Sequence, residues 1–365
     1  MTVYVQGMSA LAHYRSASAK TEVERCSSRV LRLSEATSSR KAIAELSIWR
    51  LGIGDPSTDR PLEVLVSSPD QRSRSKAVHA RVWKGALPPN AFREAIRDVY
   101  VSSPEFTFLQ MATRLDLPQL AALGMELCGT YRRNVELPRL GTGTTGFETV
   151  YNLSPLTTPR RLRGFLESIG PVPGQPRAMK ALEYVLPNSA SPMETALFLL
   201  LCLPRRLGGY ALPKPTLNPP IVLTKAGRRH TLRSAAMPDL YWKLFLLDLE
   251  YDSDEFHGEG QRAADSMRRK ALERMNVEVI QLTPDEFFAT DIFHATVQRV
   301  ARRLKKRIRP EGEGRFAERR SELRESLLHQ DPTRPSLVDG GRPDVQSGWL
   351  SEFPDSDSPE EAWVD

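Results

Sequence analysis

The stretch Pro238-Asp239-Leu240-Tyr241-Trp242-Lys243-Leu244-Phe245-Leu246-Leu247-Asp248-Leu249-Glu250-Tyr251-Asp252 holds two short apolar and aromatic runs on either side of Lys243. Such runs predict an antiparallel hairpin, with one strand beginning at Asp239 and the next ending near Asp252. A turn near Lys243 sets Asp239 opposite Glu250. Side chains on a strand alternate with period two, so Asp252 shares the face of Glu250. Three carboxylates on one small patch repel one another unless a cation lies between them. Oxygen ligands completed by water suit Mg²⁺ or Mn²⁺. His257 follows five residues after Asp252, within reach of a metal-bound water. Hairpin-edge charges in a solvated sheet would be the plainer reading, but Glu250 ends an otherwise apolar strand, where an unpaired charge is costly.

The flanks extend the pattern. Ser191-Pro192-Met193-Glu194 combines an N-cap, a proline at the first helical position and a glutamate placed to close a capping box, ahead of an apolar run. Glu194 serves that cap whether or not it also faces the carboxylates. A strand is predicted from Ile221 (IVLT), then the hairpin, then a helix over about 260–275 with Arg268, Arg269 and Lys270 among its polar positions. VEVIQL at 277–282 predicts another strand, and Thr283-Pro284-Asp285-Glu286 a second capping box opening a long, increasingly basic helix to 308. The expected order is α, β, β, β, α, β, α.

The runs PDLYW, LDLEYDSDEFH, DSMRRKAL and VEVIQLT resemble the endonuclease-like domain related to very-short-patch repair endonucleases, within the restriction-endonuclease-like PD-(D/E)XK superfamily. The resemblance covers residues 190–308, about a third of the chain, and implies an α/β fold with an αβββαβ core. It implies that Asp239 binds a metal ion, that Glu250 helps hold it, and that Asp252 is a further ligand or orients a metal-bound water. His257 would accept or relay a proton. Glu194 matches a first-helix glutamate that points at such sites, and Asp265 and Arg268 match the helix that packs against the site and can face the DNA backbone. The superfamily's usual lysine, two residues after the glutamate, is here Asp252; the short-patch-repair branch lacks that lysine and uses a nearby histidine. The chemistry implied is Mg²⁺- or Mn²⁺-dependent phosphodiester hydrolysis. Arg228 and Arg229 before the hairpin, Arg268 and Arg269, and Lys305 and Lys306 with Arg302, Arg303 and Arg307 would hold the phosphate backbone without reading sequence, although a basic helix is often simply a solvated face.

The N-terminal half predicts a small α+β domain. Residues 1–40 are rich in Ser and Arg without a clean period and read as a poorly ordered lead-in. Strands are expected at 62–68, 77–83 and 98–103, and helices from Ser103-Pro104-Glu105 and over 117–128, giving a domain at 41–135. This half is loosely similar to regions preceding nuclease-like domains in abortive-infection antitoxin-type proteins, which implies substrate selection or partner binding. Gly141, Gly143 and Gly146 have dinucleotide-fingerprint spacing, but Pro138 interrupts the strand required before them, so 136–188 reads as a linker with short helices. The remaining divisions are an endonuclease-like domain at 189–309, a charged helix at 310–330 and an acidic, disordered tail at 331–365.

Charge supports a polyanionic partner. The 365 residues carry a net +6, yet 331–365 hold nine acids against Arg334 and Arg342, so the preceding residues carry +13. A part this basic attracts nucleic acid, and DNA is the expected partner. The longest apolar run, eight residues at 196–203, stops at Pro204, short of the ~20 that cross a bilayer. The first twenty residues lack the order of a signal peptide. Cys26, Cys128 and Cys202 have no ligand-spaced partners and read as free thiols. The expectation is a cytoplasmic, metal-dependent DNA endonuclease with an N-terminal specificity or regulatory region, serving repair or defence against foreign DNA. The alternative is a non-catalytic nucleic-acid-binding or antitoxin-like regulator on the same scaffold.

Overall fold

A computed structural model of the chain describes residues 1–16, 25–26, 32–84, 87–138, 145–223, 235–252, 259–308 and 315–328. The predicted strand IVLT (221–224) runs into residue 224, which lies outside this set; His257, Arg228, Arg229 and the acidic tail also fall outside it.

The first elements correct the reading of 1–40 as a lead-in. Strand β1 (Val3–Val5) and helix α1 (Gly7–Tyr14) are buried. They are followed by β2 (Arg25–Cys26), α2 (Arg40–Ala44), β3 (Leu62–Val66), β4 (Val78–Val82), β5 (Phe92–Ile96) and β6 (Val99–Ser102). The strands form one mixed sheet in the order β2-β5-β6-β1-β3-β4, with β1 parallel to β6 and antiparallel to β3, and β3 parallel to β4. Only three residues long, β1 offers no period to read, yet distant strands bond it on both sides. Strand β5 is an addition to the predicted set; its FREAI sequence carries Arg93 and Glu94 where an apolar run would be expected.

One junction in this sheet is tightly built. Glu63 of β3 is buried and accepts hydrogen bonds from Arg114 (2.6 and 2.9 Å) and from the Met8 backbone N–H (3.1 Å). Gly7 adopts φ +56°, and a Cβ there would lie 2.2 Å from Glu63 Oε2. That oxygen cannot move aside without breaking bonds to Arg114 or Met8. Gly7→Ala therefore combines left-handed strain with a clash, and is expected to lower stability by about 2–3 kcal/mol, read as a shift of the denaturant midpoint at unchanged slope.

Helices α3 (Pro104–Met111) and α4 (Leu117–Leu127) start where the sequence places them. Ser103 Oγ accepts from the Phe106 N–H (3.2 Å), and Asp116 and Gln119 form a capping box. In 136–188 the expected short helices form, α5 (Pro159–Ser168) capped by Thr158 and α6 (Gln175–Leu182), and pack on α3 and α4; the antiparallel hairpin of β7 (Arg132–Pro138) and β8 (Thr145–Val150) is an addition to the predicted set. Gly146 sits on β8 opposite Leu137, consistent with the rejection of a dinucleotide loop.

Helix α7 (Pro192–Cys202) is buried along its length from Glu194, which marks it as central rather than amphipathic. It packs on α4 and on α11 (Arg315–Leu328), after β9 (Thr216–Leu217), β10 (Ile221–Val222), β11 (Ala235–Ala236), β12 (Leu240–Trp242), β13 (Leu247–Tyr251), α8 (Glu259–Glu273), β14 (Glu278–Leu282), α9 (Pro284–Phe288) and α10 (Thr290–Arg303) have intervened. A mixed sheet runs β14-β13-β12-β9, antiparallel except for β13 and β14. Its first strand is Thr216–Leu217; the predicted strand from Ile221 instead makes a separate ribbon with β11. The long helix expected after Thr283 breaks at Ala289, whose backbone is extended (ψ 108°), so the capping box of Thr283 and Glu286 serves the short α9. One apolar cluster joins the N-terminal part to this sheet, from Tyr4 and Phe106 through Leu199 to Leu249 and Leu327. Among the described residues no helix is long and apolar enough to cross a membrane.

Candidate active site

The sheet β14-β13-β12-β9 has two unlike faces because β13 alternates strictly. Leu247 and Leu249 enter the main apolar cluster with Leu240, Trp242, Ile280 and Leu282. Asp248 and Glu250 point the other way. Asp248 pairs with Tyr241 on one side and Val279 on the other, and those two pack with Ala271 and Leu272 of α8. The carboxylates thus stand on the α8 face of the sheet.

The hairpin has the register expected for a turn near Lys243. Pairs Leu240 with Leu249 and Tyr241 with Asp248, continued by one residue, set Asp239 beside Glu250. Asp239 caps the end of β13, its Oδ2 accepting from the Tyr251 N–H at 2.9 Å. Glu250 is 5% exposed and its Oε1 lies 3.1 Å from Arg268 Nη1, at an angle too poor for a hydrogen bond. Arg268 also donates to the Met237 carbonyl (2.7 Å), so its guanidinium faces the carboxylates rather than standing clear for a DNA backbone. Asp265 lies on the same helix.

Glu194 joins the group through α7. Its backbone N–H is capped by Ser191 Oγ (3.1 Å), while its Oε2 accepts from the Ala190 N–H (2.9 Å) and from Asn218 Nδ2 (2.6 Å). The glutamate therefore reaches past the N-cap position that a full capping box would use. Asn218 also accepts a structural task of its own: its backbone N–H bonds the Asp239 carbonyl at 3.1 Å, linking two carboxylate-bearing segments.

Sequence reasoning passed over Asp248, which is fully buried with no hydrogen-bond donor to either oxygen among the described residues. The alternation that ties Asp252 to Glu250 selects Asp248 equally, one step in the other direction. Asp252 instead lies at the sheet's margin, half-buried, where Gln281 Nε2 donates to it at 3.3 Å. Asn218 carried no signal, since a lone Asn before Pro-Pro gains its role only from tertiary contact.

Electrostatics couple four of these acids. Burial, then Glu194 and Glu250, raise Asp239 well above the ordinary carboxylate range. Burial, then Glu250 and Asp239, do the same to Asp248, and burial raises Glu194. Arg268 is the cation that opposes the shifts of Asp239 and Asp248. A carboxyl group with a raised folded pKa stabilises the protein fully below its unfolded value near 3.8, and that contribution is lost as pH rises through the folded value. Asp248→Asn removes the penalty. In chelator it is expected to unfold at higher temperature than the wild type, by about 2 kcal/mol near neutral pH, with the difference shrinking toward about pH 4. An equal or lower melting temperature across that range would show that Asp248 is satisfied.

The donor set is all oxygen, which suits Mg²⁺ or Mn²⁺, and among the described residues neither oxygen of Asp248 has a hydrogen-bond partner, while Glu250 Oε1 has Arg268 as its ion-pair partner. Among the described residues, however, no three His, Cys, Asp or Glu side chains gather closely enough to hold an ion. Arg269 is half-buried on α8, and Lys305 and Lys306 are exposed but lie beyond the end of α10 rather than on it. Arg303 and Arg299 are engaged with Glu278. The comparisons with known proteins add no relative to this geometry: no family model, no curated protein and no solved structure matches the chain.

Proposed function

We propose that the chain is a metal-dependent DNA endonuclease of the restriction-endonuclease-like kind, with Asp239, Glu250 and Glu194 at its centre. The observation that carries this reading is the clustering of Asp239, Asp248 and Glu250 on the α8 face of the sheet, with Glu194 of α7 near enough to repel Asp239 and, among the described residues, the Arg268 guanidinium opposing them. Stability alone offers no reason for such a group, since burying unpaired charge costs several kcal/mol per ion. Ionisable groups gathered in this way are a mark of functional sites. The element order α7, β9, β12, β13, α8, β14, interrupted by the β10–β11 ribbon, supports the αβββαβ arrangement that the resemblance implies.

In this reading Asp239 and Glu250 hold the cation, Asp248 supplies further negative charge behind them, and Glu194 is fixed by Asn218 at the rim. A divalent ion there would neutralise charge on a scissile phosphate and acidify a water. His257 and Asp252 stand in the chain close to Glu250, one as a proton acceptor and the other to orient water. Ligation requires Glu250 to exchange Arg268 for the metal.

The Arg268 pair favours a second reading, in which the guanidinium replaces the metal for good and the scaffold binds nucleic acid without cutting it. Titration with Mn²⁺ and cleavage of plasmid and mismatched duplex DNA, each with and without chelator, separate the two. Metal-dependent cutting supports the nuclease. Salt-sensitive DNA binding with neither metal uptake nor cutting supports the regulator.

A further inference from the structure

The edge strand β4 and the segment leading into it carry a charge pattern the carboxylate site does not use. From Gln71 to Lys84 the chain reads QRSRSKAVHARVWK, with no acidic residue. Arg72, Arg74, Lys76, His79, Arg81 and Lys84 are all exposed, while Ala77 and Val78 are buried. Among the described residues strand β4 pairs only with β3, so its other side lies at the margin of the six-stranded sheet.

We propose that this margin is a docking surface for the phosphodiester backbone of duplex DNA. His79 and Arg81 lie on one side of the strand about 6.6 Å apart, a spacing at which successive cations can meet different phosphates of one strand. Among the described residues no carboxylate pairs with Arg72, Arg74, Lys76, Arg81 or Lys84. The nearest acid across the sheet, Glu63, is held by Arg114, as its register opposite His79 and its two hydrogen bonds require. Burial and the adjacent charge of Arg114 lower the Arg81 guanidinium, with Glu63 opposing them from a distance, so an anion drawn to this margin offsets that repulsion without breaking an ion pair among the described residues. A long unpaired edge would otherwise invite another strand, and lysine and arginine along it deter that while leaving it open to a polyanion. The surface lies outside the carboxylate site, and its occupancy does not depend on metal.

The test is binding of a short fluorescent DNA duplex to the full chain, in chelator, from about 50 to 200 mM salt. The triple variant R74Q/K76Q/R81Q is compared with R97Q/R163Q/K180Q, which removes the same charge at exposed Arg97 and Arg163 and half-buried Lys180. The β4 variant is expected to lose on the order of 10-fold or more in affinity, with the slope of log K against log salt reduced by about 2.7, the value for three phosphate contacts. The control variant should lose far less of either. Equal losses in both variants would show attraction by net charge alone and overturn the proposal, as would unchanged binding by the β4 variant, which would leave an acidic protein as the occupant to seek. Binding is read in chelator and without cleavage, so failure of the nuclease reading leaves this result intact.

Discussion

Asp239→Asn is expected to abolish metal-dependent DNA cleavage, lowering the rate by at least about 10³-fold, while duplex binding in chelator stays within a few-fold of wild type. The size follows from what the ligand does: a metal acting as Lewis acid and water activator is worth several kcal/mol, each 1.36 kcal/mol being tenfold in rate. Asn keeps the shape of Asp239 and an oxygen to accept from the Tyr251 N–H, so the end of β13 stays in place. Glu250→Gln should have a similar effect on cleavage. It also leaves Arg268 facing a neutral amide, so a modest fall in melting temperature is expected for this variant and not for Asp239→Asn. Wild-type cleavage by both variants would remove the centre from these strands. A wild-type protein that takes up Mn²⁺ with no cutting, and loses that uptake in Asp239→Asn, would place a metal here without the hydrolysis.

The parts of this arrangement legible in the sequence are those fixed by local chemistry. Two strands around a turn determine that Asp239 meets Glu250, and Ser103, Asp116, Ser191 and Thr283 announce their helices by capping. What escaped is set by distant contacts. Val3–Val5 becomes an interior strand because β6 and β3 lie on either side, and nothing within the first five residues encodes that. The helix after Thr283 breaks where Phe287 and Phe293 turn into one aromatic group, edge to face at 5.2 Å, which a continuous helix would place differently. Asp252 and Asp248 are equivalent by alternation, and only depth in the sheet distinguishes the buried acid from the marginal one. Glu194 was readable as a cap but its side-chain partner, Asn218, was not, because the two are 24 residues apart and meet only when α7 and β9 pack.

The largest stability effect is expected away from the carboxylate site, at Glu126. This residue of α4 is 1% exposed and accepts hydrogen bonds from Arg15 Nε (2.8 Å), from a second Arg15 nitrogen and from the Arg133 backbone N–H (3.1 Å), joining the end of α1 to α4 and the start of β7. Burial alone would raise its pKa; the charge and hydrogen bonds of Arg15, aided by Arg133, outweigh that and hold it below the usual 4.5. A depressed carboxylate stabilises the fold at all pH above its unfolded value, and the contribution is lost as pH falls through the folded value. Glu126→Ala removes the acceptor while leaving Arg15 in place, the situation in which a broken buried pair costs about 3–5 kcal/mol. Thermal unfolding near neutral pH should shift down by about 10 °C. The wild type should lose this advantage as pH falls from 4.5 through the depressed folded value, so the two melting curves converge in acid. Replacing both partners, as in R15M/E126L, should recover a large share of the loss, because no charge is then left buried. A double variant as unstable as Glu126→Ala would instead locate the cost in packing between α1 and α4.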